Sequence, residues 1–340
     1  MPEAQAVYLI HPQQGRPHLG RTNVLRRRLT RLGERWNLAR IGSRIDYWLT
    51  ASRLEQWRLS YELARIHFPE DYARVLRLPK PCYVRLLLAN AFPRTQITTR
   101  LAAAPGLTYG PFESRARADQ FEASVLDLFQ LRRCQEDLAP SPEHPGCIYG
   151  EMLRCLRPCQ AVVTAEEYHS EANRVREFLS HRGQRLIDAT ALARNRASED
   201  LDFEQAAAQH ARLERIQSVV KTSGELARDI TRLHGVAVTR SVEPHAVWLW
   251  FVREGAWLDP QLFTVAPAAG QPLSLDARLR EIVSGLSPGR LTLAERQEHL
   301  ALLAKWFYSS WRDGEWLAMD NWPEVPYRKL VHAIHRVARA

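Results

Sequence analysis

The sequence lacks the features that mark membrane-spanning and secreted proteins. No apolar run approaches the roughly 20 residues that cross a bilayer. The first 16 residues lack the basic stretch followed by an apolar one that is typical of a secretory signal. There is also no internal repeat and no low-complexity tract. We therefore expect a cytoplasmic protein with no membrane partner.

Cysteine is scarce, with five in 340 residues, but four of the five lie in one short segment. They are Cys134, Cys147, Cys155 and Cys159, while Cys82 stands alone and is interpreted as a small core residue. Clustered thiols in a chain without a secretory signal indicate a metal site more often than disulfides. The spacing C-x12-C-x7-C-x3-C fits neither a zinc ribbon nor a ferredoxin run. The residues alone leave zinc and an iron–sulfur cluster both open.

The charge balance is basic, with 47 Lys and Arg against 38 Asp and Glu, a net charge of +9 and a pI near 9.6. Such a balance favours a polyanionic partner such as nucleic acid, although basic enzymes without such a partner share it. The length suggests two or three domains, each able to bury a core.

Patterning predicts an α+β chain with four regions. Residues 1–78 form a small α/β unit, with a helix at Arg53–His67 that stops before a proline. Residues 79–163 begin at two prolines and carry paired strands and the cysteines. Residues 164–234 are almost free of Gly and Pro, which predicts long helices with a break near positions 196 to 199. Residues 235–340 hold seven of the ten tryptophans and form a small end domain.

Several short blocks carry a resemblance to a DNA-repair family. Ala6-Val7-Tyr8, then His18-Leu19-Gly20 and an arginine-rich helix, resembles the GIY-YIG nuclease domain, whose two short strands carry those tripeptides. Further blocks resemble the excinuclease UvrC, in the order Phe92-Pro93-Arg94, Thr98-Thr99-Arg100, Tyr109-Gly110-Pro111-Phe112, Leu128 to Cys134, Thr164 to Tyr168 and Leu201 to Ala207. The resemblance covers about residues 6 to 220 and lacks the RNase H-like half of UvrC, as in Cho-type proteins.

The resemblance implies a catalytic set in the first unit. Tyr8 matches the first family tyrosine, His18 replaces the second, and Arg28 matches the arginine that clamps the scissile phosphate. The family seats Mg²⁺ or Mn²⁺ on a helical glutamate, and Ser60 stands at that position. A serine hydroxyl cannot replace a carboxylate for Mg²⁺. Glu62, two residues on, would face about 200° away on a helix.

Arginines flank this set and, by the resemblance, bind DNA phosphates. The proposed contacts are Arg21, Arg26, Arg27, Arg31, Arg94 and Arg100, with Arg115, Arg117, Arg132 and Arg133 in the same zones. Such contacts make affinity fall with salt without specifying sequence. The alternative is an ordinary solvated surface.

The resemblance also implies a cofactor and a protein partner. The four clustered cysteines would ligate a [4Fe-4S] cluster, with zinc as the alternative. Residues 201–220 are like the UVR motif through which UvrC meets UvrB, and Phe203, Glu204 and Leu213 would contact a UvrB-like protein. The alternative is a self-packed helical hairpin. Trp306, Trp311 and Trp316 are expected to build a core rather than stack on bases.

The sequence therefore predicts a UvrC/Cho-type nucleotide-excision-repair protein. It would bind DNA and hydrolyse a phosphodiester near a lesion if the first unit is active. The competing hypothesis is a catalytically silent GIY-YIG protein that recruits a UvrB-like partner or another nuclease. A third hypothesis is an iron–sulfur redox sensor unrelated to DNA.

Overall fold

The computed structural model describes residues 2–36, 42–265, 274–287 and 289–339, and its mixture of helices and antiparallel sheets confirms the α+β class. The strands are β1 (Ala6–Pro12), β2 (His18–Thr22), β3 (Gly42–Leu49), β4 (Cys82–Leu87), β5 (Arg94–Thr98), β6 (Leu107–Phe112), β7 (Arg228–Asp229), β8 (His234–Arg240), β9 (Ala246–Arg253), β10 (Ala256–Trp257), β11 (Gln261–Thr264) and β12 (Glu315–Met319). The helices are α1 (Leu25–Trp36), α2 (Arg53–His67), α3 (Tyr72–Leu76), α4 (Arg115–Leu126), α5 (Ile148–Glu151), α6 (Ala165–Ser180), α7 (Gln184–Glu199), α8 (Phe203–Thr222), α9 (Leu275–Gly285), α10 (Leu293–Phe307) and α11 (Tyr327–Arg339).

The chain divides into two compact units. Unit 1 comprises Met1–Pro79, His234–Leu291 and Glu298–Ala340, and unit 2 comprises Lys80–Leu233 and Thr292–Gln297. The units therefore group the first predicted region with the fourth, and the second with the third. The four-region division itself stays a prediction. None of the helices in the described ranges is both long and apolar enough to cross a membrane.

The N-terminal part of unit 1 is a three-stranded antiparallel sheet with the order β2-β1-β3. Alternate residues of a strand face opposite sides of a sheet. Tyr8 and Ile10 accordingly pack with Leu25 and Leu29 of α1, whereas Leu9 packs with α2 on the other face. The two helices thus cover opposite faces of the sheet.

The two helices begin at identifiable capping positions. Helix α2 has the predicted bounds, because the Ser52 side chain caps it by accepting from the backbone N–H of Glu55, 3.1 Å away. The sequence pattern predicts a start of α1 at Thr22, but the helix begins at Leu25, since Thr22 still belongs to β2 and its hydroxyl contacts the backbone of Val24.

The C-terminal part of unit 1 is a sheet with the order β10-β9-β8-β12, to which β11 adds beside β9. Trp306 is fully enclosed, and its indole N–H donates to the backbone carbonyl of Asp313 at 3.1 Å. Trp316 is only 7% exposed. The expectation that these tryptophans build a core is confirmed for both.

Within unit 1 the C-terminal residues pack on the α2 side of the N-terminal sheet. The Glu298 carboxylate accepts hydrogen bonds from the hydroxyls of Tyr61 and Tyr72, at 2.7 and 2.8 Å. The Asp313 carboxylate accepts from the backbone N–H of Arg53 at 2.7 Å. A region with no counterpart in the UvrC resemblance therefore contacts the helix that carries Ser60.

Unit 2 has a sheet of order β5-β4-β6-β7 against which α4, α6 and α8 pack. Phe121, Tyr168, Phe178 and Ile216 are central to this core. The predicted break at positions 196 to 199 is wrong by a few residues. Helix α7 continues to Glu199, and α8 begins only where the Asp202 carboxylate caps it.

Candidate functional site

Three of the four residues predicted to be catalytic lie together. The Arg28 Nε–H donates to the Tyr8 hydroxyl across 3.0 Å, and the ring centroids of Tyr8 and His18 are 6.2 Å apart. The strand register explains the grouping. Tyr8 and His18 lie on the same face of the sheet, and α1 packs against that face. Tyr8 is fully buried, whereas Arg28 is exposed on α1.

Gly20 makes room for the Tyr8 ring. It lies directly opposite Tyr8 in the β1–β2 pairing. A Cβ atom at position 20 would lie 2.2 Å from Tyr8 Cζ and 2.3 Å from its hydroxyl oxygen. Only glycine allows the ring to cross β2 at this distance.

His18 has an environment that favours its neutral form. Partial burial lowers the pKa of His18, and the positive charge of Arg28 lowers it further. A neutral imidazole at the exposed end of β2 can accept a proton.

Ser60 does not join this group. It lies on α2, which packs on the face of the sheet opposite α1. It is 1% exposed, and its hydroxyl donates to the Gln56 carbonyl at 2.6 Å. The Glu62 carboxylate forms an ion pair with the Arg58 guanidinium at 3.0 Å. The surroundings of Ser60 therefore do not fit the divalent ion that the resemblance implies.

Most of the arginines proposed to contact DNA are accessible. Arg26, Arg27 and Arg31 are exposed on α1, and Arg100 is exposed after β5. Arg94 is half-buried and donates to Gln135.

Arg132 differs from the others and corrects the predicted basic zone. It is 2% exposed, and its guanidinium donates to the carbonyls of Phe92 and Glu136, at 3.0 and 2.7 Å. Its role is therefore to hold the chain next to the first cysteine rather than to face DNA.

Arg21 has a partner that sequence reasoning missed. Its Cζ lies 3.3 Å from the ring centroid of Trp57, and the Nζ of Lys305 lies 3.2 Å from the same centroid. No local pattern could have found this group, because Lys305 is far away in the sequence.

The four clustered thiols lie near one another in unit 2. Burial raises the pKa of Cys155 to about 11, and the proximity of Cys134, Cys147 and Cys159 adds to the rise. Burial also raises the pKa of Cys159, with further contributions from Cys134 and Cys147. In the described ranges, however, no three His, Cys, Asp or Glu side chains are arranged to hold a single metal ion.

Hydrogen-bond donors point at two of these sulfurs. The Arg132 guanidinium lies 3.5 Å from Cys134 Sγ, and the Arg157 backbone N–H lies 3.4 Å from Cys155 Sγ. Donors to sulfur stabilise thiolates and tune the potential of iron–sulfur clusters. The thiols are thus close together and two of them have donors, but as described they are not arranged around a single metal ion.

The UVR-like segment presents apolar side chains at the turn between α7 and α8. Leu201 is 71% exposed and Phe203 68% exposed, and Glu204 is exposed beside them. Leu213, for which the resemblance implies a partner contact, is 6% exposed. A partner at this turn would meet Leu201 and Phe203 rather than Leu213.

Comparison with protein families finds a match for the middle of the chain. Residues 82–178 match the family described as "UvrC/Cho excinuclease, middle domain". This segment contains the strands β4 to β6 and all four clustered cysteines.

Curated relatives extend the match. The chain is 31% identical to UvrABC system protein C of Nitratidesulfovibrio vulgaris, over 60% of this chain and 30% of that protein. It is 24% identical to the protein of that name from Desulfatibacillum aliphaticivorans, over 74% and 44% respectively. It is also 24% identical to the Lachnospira eligens protein, over 64% of this chain and 36% of that protein. The chain is therefore UvrC-like, as the sequence blocks predicted.

The chain spans about a third of the length of the curated relatives that it matches. No solved structure matches it significantly.

Proposed function

We propose that this protein acts in UvrC-type nucleotide excision repair in the cytoplasm, as an endonuclease-type component that binds damaged duplex DNA. The observation that carries the proposal is the match of residues 82–178 to the UvrC/Cho middle domain. The relatives are named as components of the UvrABC system. The exposed arginines of α1 and Arg100 supply the positive charge that a DNA backbone requires.

The proposed incision uses the group formed by Tyr8, His18 and Arg28. Arg28 is permanently charged and can clamp a phosphodiester through two N–H donors. Its bond to the Tyr8 hydroxyl orients the guanidinium, and neutral His18 is suited to accept a proton from water. The proposed incision involves no metal ion at Ser60, because the surroundings of this residue do not fit one.

A nicking assay tests this function. Supercoiled plasmid, ultraviolet-irradiated or intact, is incubated with the full chain in Mg²⁺, Mn²⁺ or EDTA. We expect nicking of irradiated plasmid that falls by about 100-fold or more in Arg28→Ala, since a charge-stabilising donor is lost. Lys329→Ala is the matched control, because Lys329 is exposed on α11 and belongs neither to this group nor to the proposed DNA contacts.

The outcomes of this assay are distinct. DNA binding without nicking in every condition would overturn the incision and leave a DNA-binding component. Equal nicking by Arg28→Ala and the unsubstituted protein would remove Tyr8, His18 and Arg28 from the chemistry. Absence of any salt-dependent binding to duplex DNA would overturn the whole proposal.

We also propose a [4Fe-4S] cluster held by Cys134, Cys147, Cys155 and Cys159. The proximity of Cys134, Cys147 and Cys159 to the buried Cys155 thiol supports this proposal. Such a cluster would supply structural cross-linking of the loops around α5. A colourless anaerobic preparation with stoichiometric zinc would contradict it.

A UvrB-like protein is the proposed partner of the turn between α7 and α8. The exposure of Leu201 and Phe203 supports an apolar contact there. Co-purification of the full chain with a UvrB-like protein tests the contact.

A further inference from the structure

Trp57 on α2 carries one positive charge over each face of its indole ring. Arg21 Cζ and Lys305 Nζ lie 3.3 and 3.2 Å from the ring centroid. Two groups this close to one centroid must occupy opposite faces, because on one face they would overlap. The negative faces of the indole attract both cations and hold them in place.

Neither cation has an anionic partner in the described part of the chain. Arg21 Nη1 is buried without a hydrogen-bond partner. No ion pair joins Arg21 or Lys305 to a carboxylate among the described residues. Burial lowers the pKa of Arg21 to about 10. Burial and then the charge of Arg21 lower the pKa of Lys305 to about 8. Two desolvated like charges without a counter-charge favour the arrival of an anion.

The group is open to solvent and lies on the α2 face of the sheet, opposite the face that carries Tyr8 and His18. Arg21, Trp57 and Lys305 are each half-buried. Arg21 belongs to β2, the edge strand of the sheet, three positions after His18. Because alternate residues of a strand face opposite sides, the Arg21 side chain lies on the face of the sheet opposite to that of His18. The edge position of β2 leaves the group accessible from that side. The exposed arginines of α1 follow directly after β2.

We propose that Arg21, Lys305 and Trp57 form a binding site for a backbone phosphate of DNA at the β2 edge. In this site the C-terminal region, which has no counterpart in the UvrC resemblance, supplies the contact through Lys305. Trp57 positions both cations, and the phosphate provides the counter-charge that the chain lacks. The identity of the anion as DNA rests on the proposed function.

Salt-dependent DNA binding tests the site. Dissociation constants of the full chain for a fluorescent duplex are measured over a range of salt concentrations. We expect Lys305→Gln to lower the slope of log K against log [salt] by about 1 and to weaken binding roughly fivefold to tenfold. Lys305→Arg should retain both. The matched control is Lys329→Gln, which removes the same charge from an exposed position on α11.

A chemical footprint gives a readout that does not depend on variants. Lysine is rare in this chain, where Lys80, Lys221, Lys305 and Lys329 are the only four. Acetylation at pH 8, followed by peptide mass spectrometry, therefore reports each amine separately. We expect Lys305 to react fastest, since its lowered pKa frees the amine, and duplex DNA to slow it more than it slows Lys329.

The results separate this inference from the proposed function. Wild-type protein that does not bind duplex DNA would overturn both. Salt-dependent binding with equal slopes for Lys305→Gln and Lys329→Gln would overturn the Lys305 site alone. Protection of Lys305 by inorganic pyrophosphate but not by DNA would overturn the assignment of the anion to DNA. A melting temperature of Lys305→Gln close to that of Lys305→Arg shows that a changed slope is not caused by unfolding.

Discussion

Gly20 and Tyr8 lie directly opposite each other on β2 and β1, and the tyrosine ring covers the glycine at 2.2 Å from where a Cβ would stand. The ring is fully buried, and its hydroxyl accepts from Arg28. Any movement of the Tyr8 ring would therefore disturb Arg28, the residue proposed to clamp the phosphate.

Gly20→Ala is expected to destabilise the protein by about 2–3 kcal/mol, because the added methyl group overpacks a closed contact. Urea unfolding followed by circular dichroism measures the loss. Gly33→Ala is the matched control, since among the described residues no atom outside its chain neighbours and its own helix backbone lies within 4 Å of its Cβ position on α1. It should be neutral or stabilise by up to about 1 kcal/mol. Equal stability of the two variants would contradict the packing of Tyr8 on Gly20.

Replacing Ser60 with glutamate is not expected to restore a metal site. The position is 1% exposed, so Ser60→Glu buries an unpaired carboxylate and should cost about 2–4 kcal/mol. Urea unfolding and the plasmid assay with Mg²⁺ measure both consequences. Ser60→Ala loses only one hydrogen bond within the helix and should cost about 1 kcal/mol or less. A stable Ser60→Glu protein with new Mg²⁺-dependent nicking would show that position 60 faces the incision site.

Glu55 makes the stability of unit 1 depend on pH. Burial raises the pKa of Glu55 to about 7, from an ordinary value of 4.5. The folded protein therefore holds the proton more tightly than the unfolded chain. This contribution is fully present below about pH 4.5 and is lost as the pH rises through about 7. At pH 8, Glu55→Gln should be more stable than wild type by about 2–3 kcal/mol.

Urea unfolding at pH 5 and pH 8 checks this expectation. The difference in free energy of unfolding between Glu55→Gln and the wild type should grow as the pH rises. The exposed Glu34→Gln on α1 is the control and should show no such growth. A pH-independent difference for Glu55→Gln would mean that Glu55 is already charged in the folded protein at pH 5.

Cys155→Ser is expected to lose the proposed cluster. Cys155 is buried among the other three thiols, and serine supplies no thiolate. Iron and sulfide content and visible absorption after anaerobic purification measure the loss. Cys82→Ala should keep the full iron content, since Cys82 lies on β4 in the core of unit 2. Equal iron content in both variants would place the cluster elsewhere or exclude Cys155 from it.

Phe203→Ala should weaken binding to a UvrB-like protein by about tenfold or more, because exposed aromatic side chains are frequent hot spots. Since Phe203 is 68% exposed, its stability should change by no more than about 0.5 kcal/mol. Isothermal calorimetry measures the affinity. Leu192→Ala, 51% exposed on α7, is the control and should bind as wild type does. Weakening of both variants to the same degree would argue against a contact centred on the turn.

The sequence by itself determined many of the local elements and the likeness to UvrC. Helix α2 could be predicted at its observed bounds, because Ser52 and the proline after it are local signals. The blocks from Phe92 to Cys134 were enough to predict the UvrC likeness, since each block is a short run of neighbouring residues and the blocks follow in order along the chain. A strand from Ala6 to Ile10 could also be predicted from that apolar run, and in the structure its alternate residues place Tyr8 and Leu9 on opposite faces of the sheet.

Only the tertiary structure decided which distant side chains meet. It buried Arg132 beside the cysteines, although in the sequence it looks like any basic surface residue. It also brought Lys305 to Trp57. Contacts of this kind depend on how separate elements pack, and that packing leaves no periodic or local signal in the residues that take part.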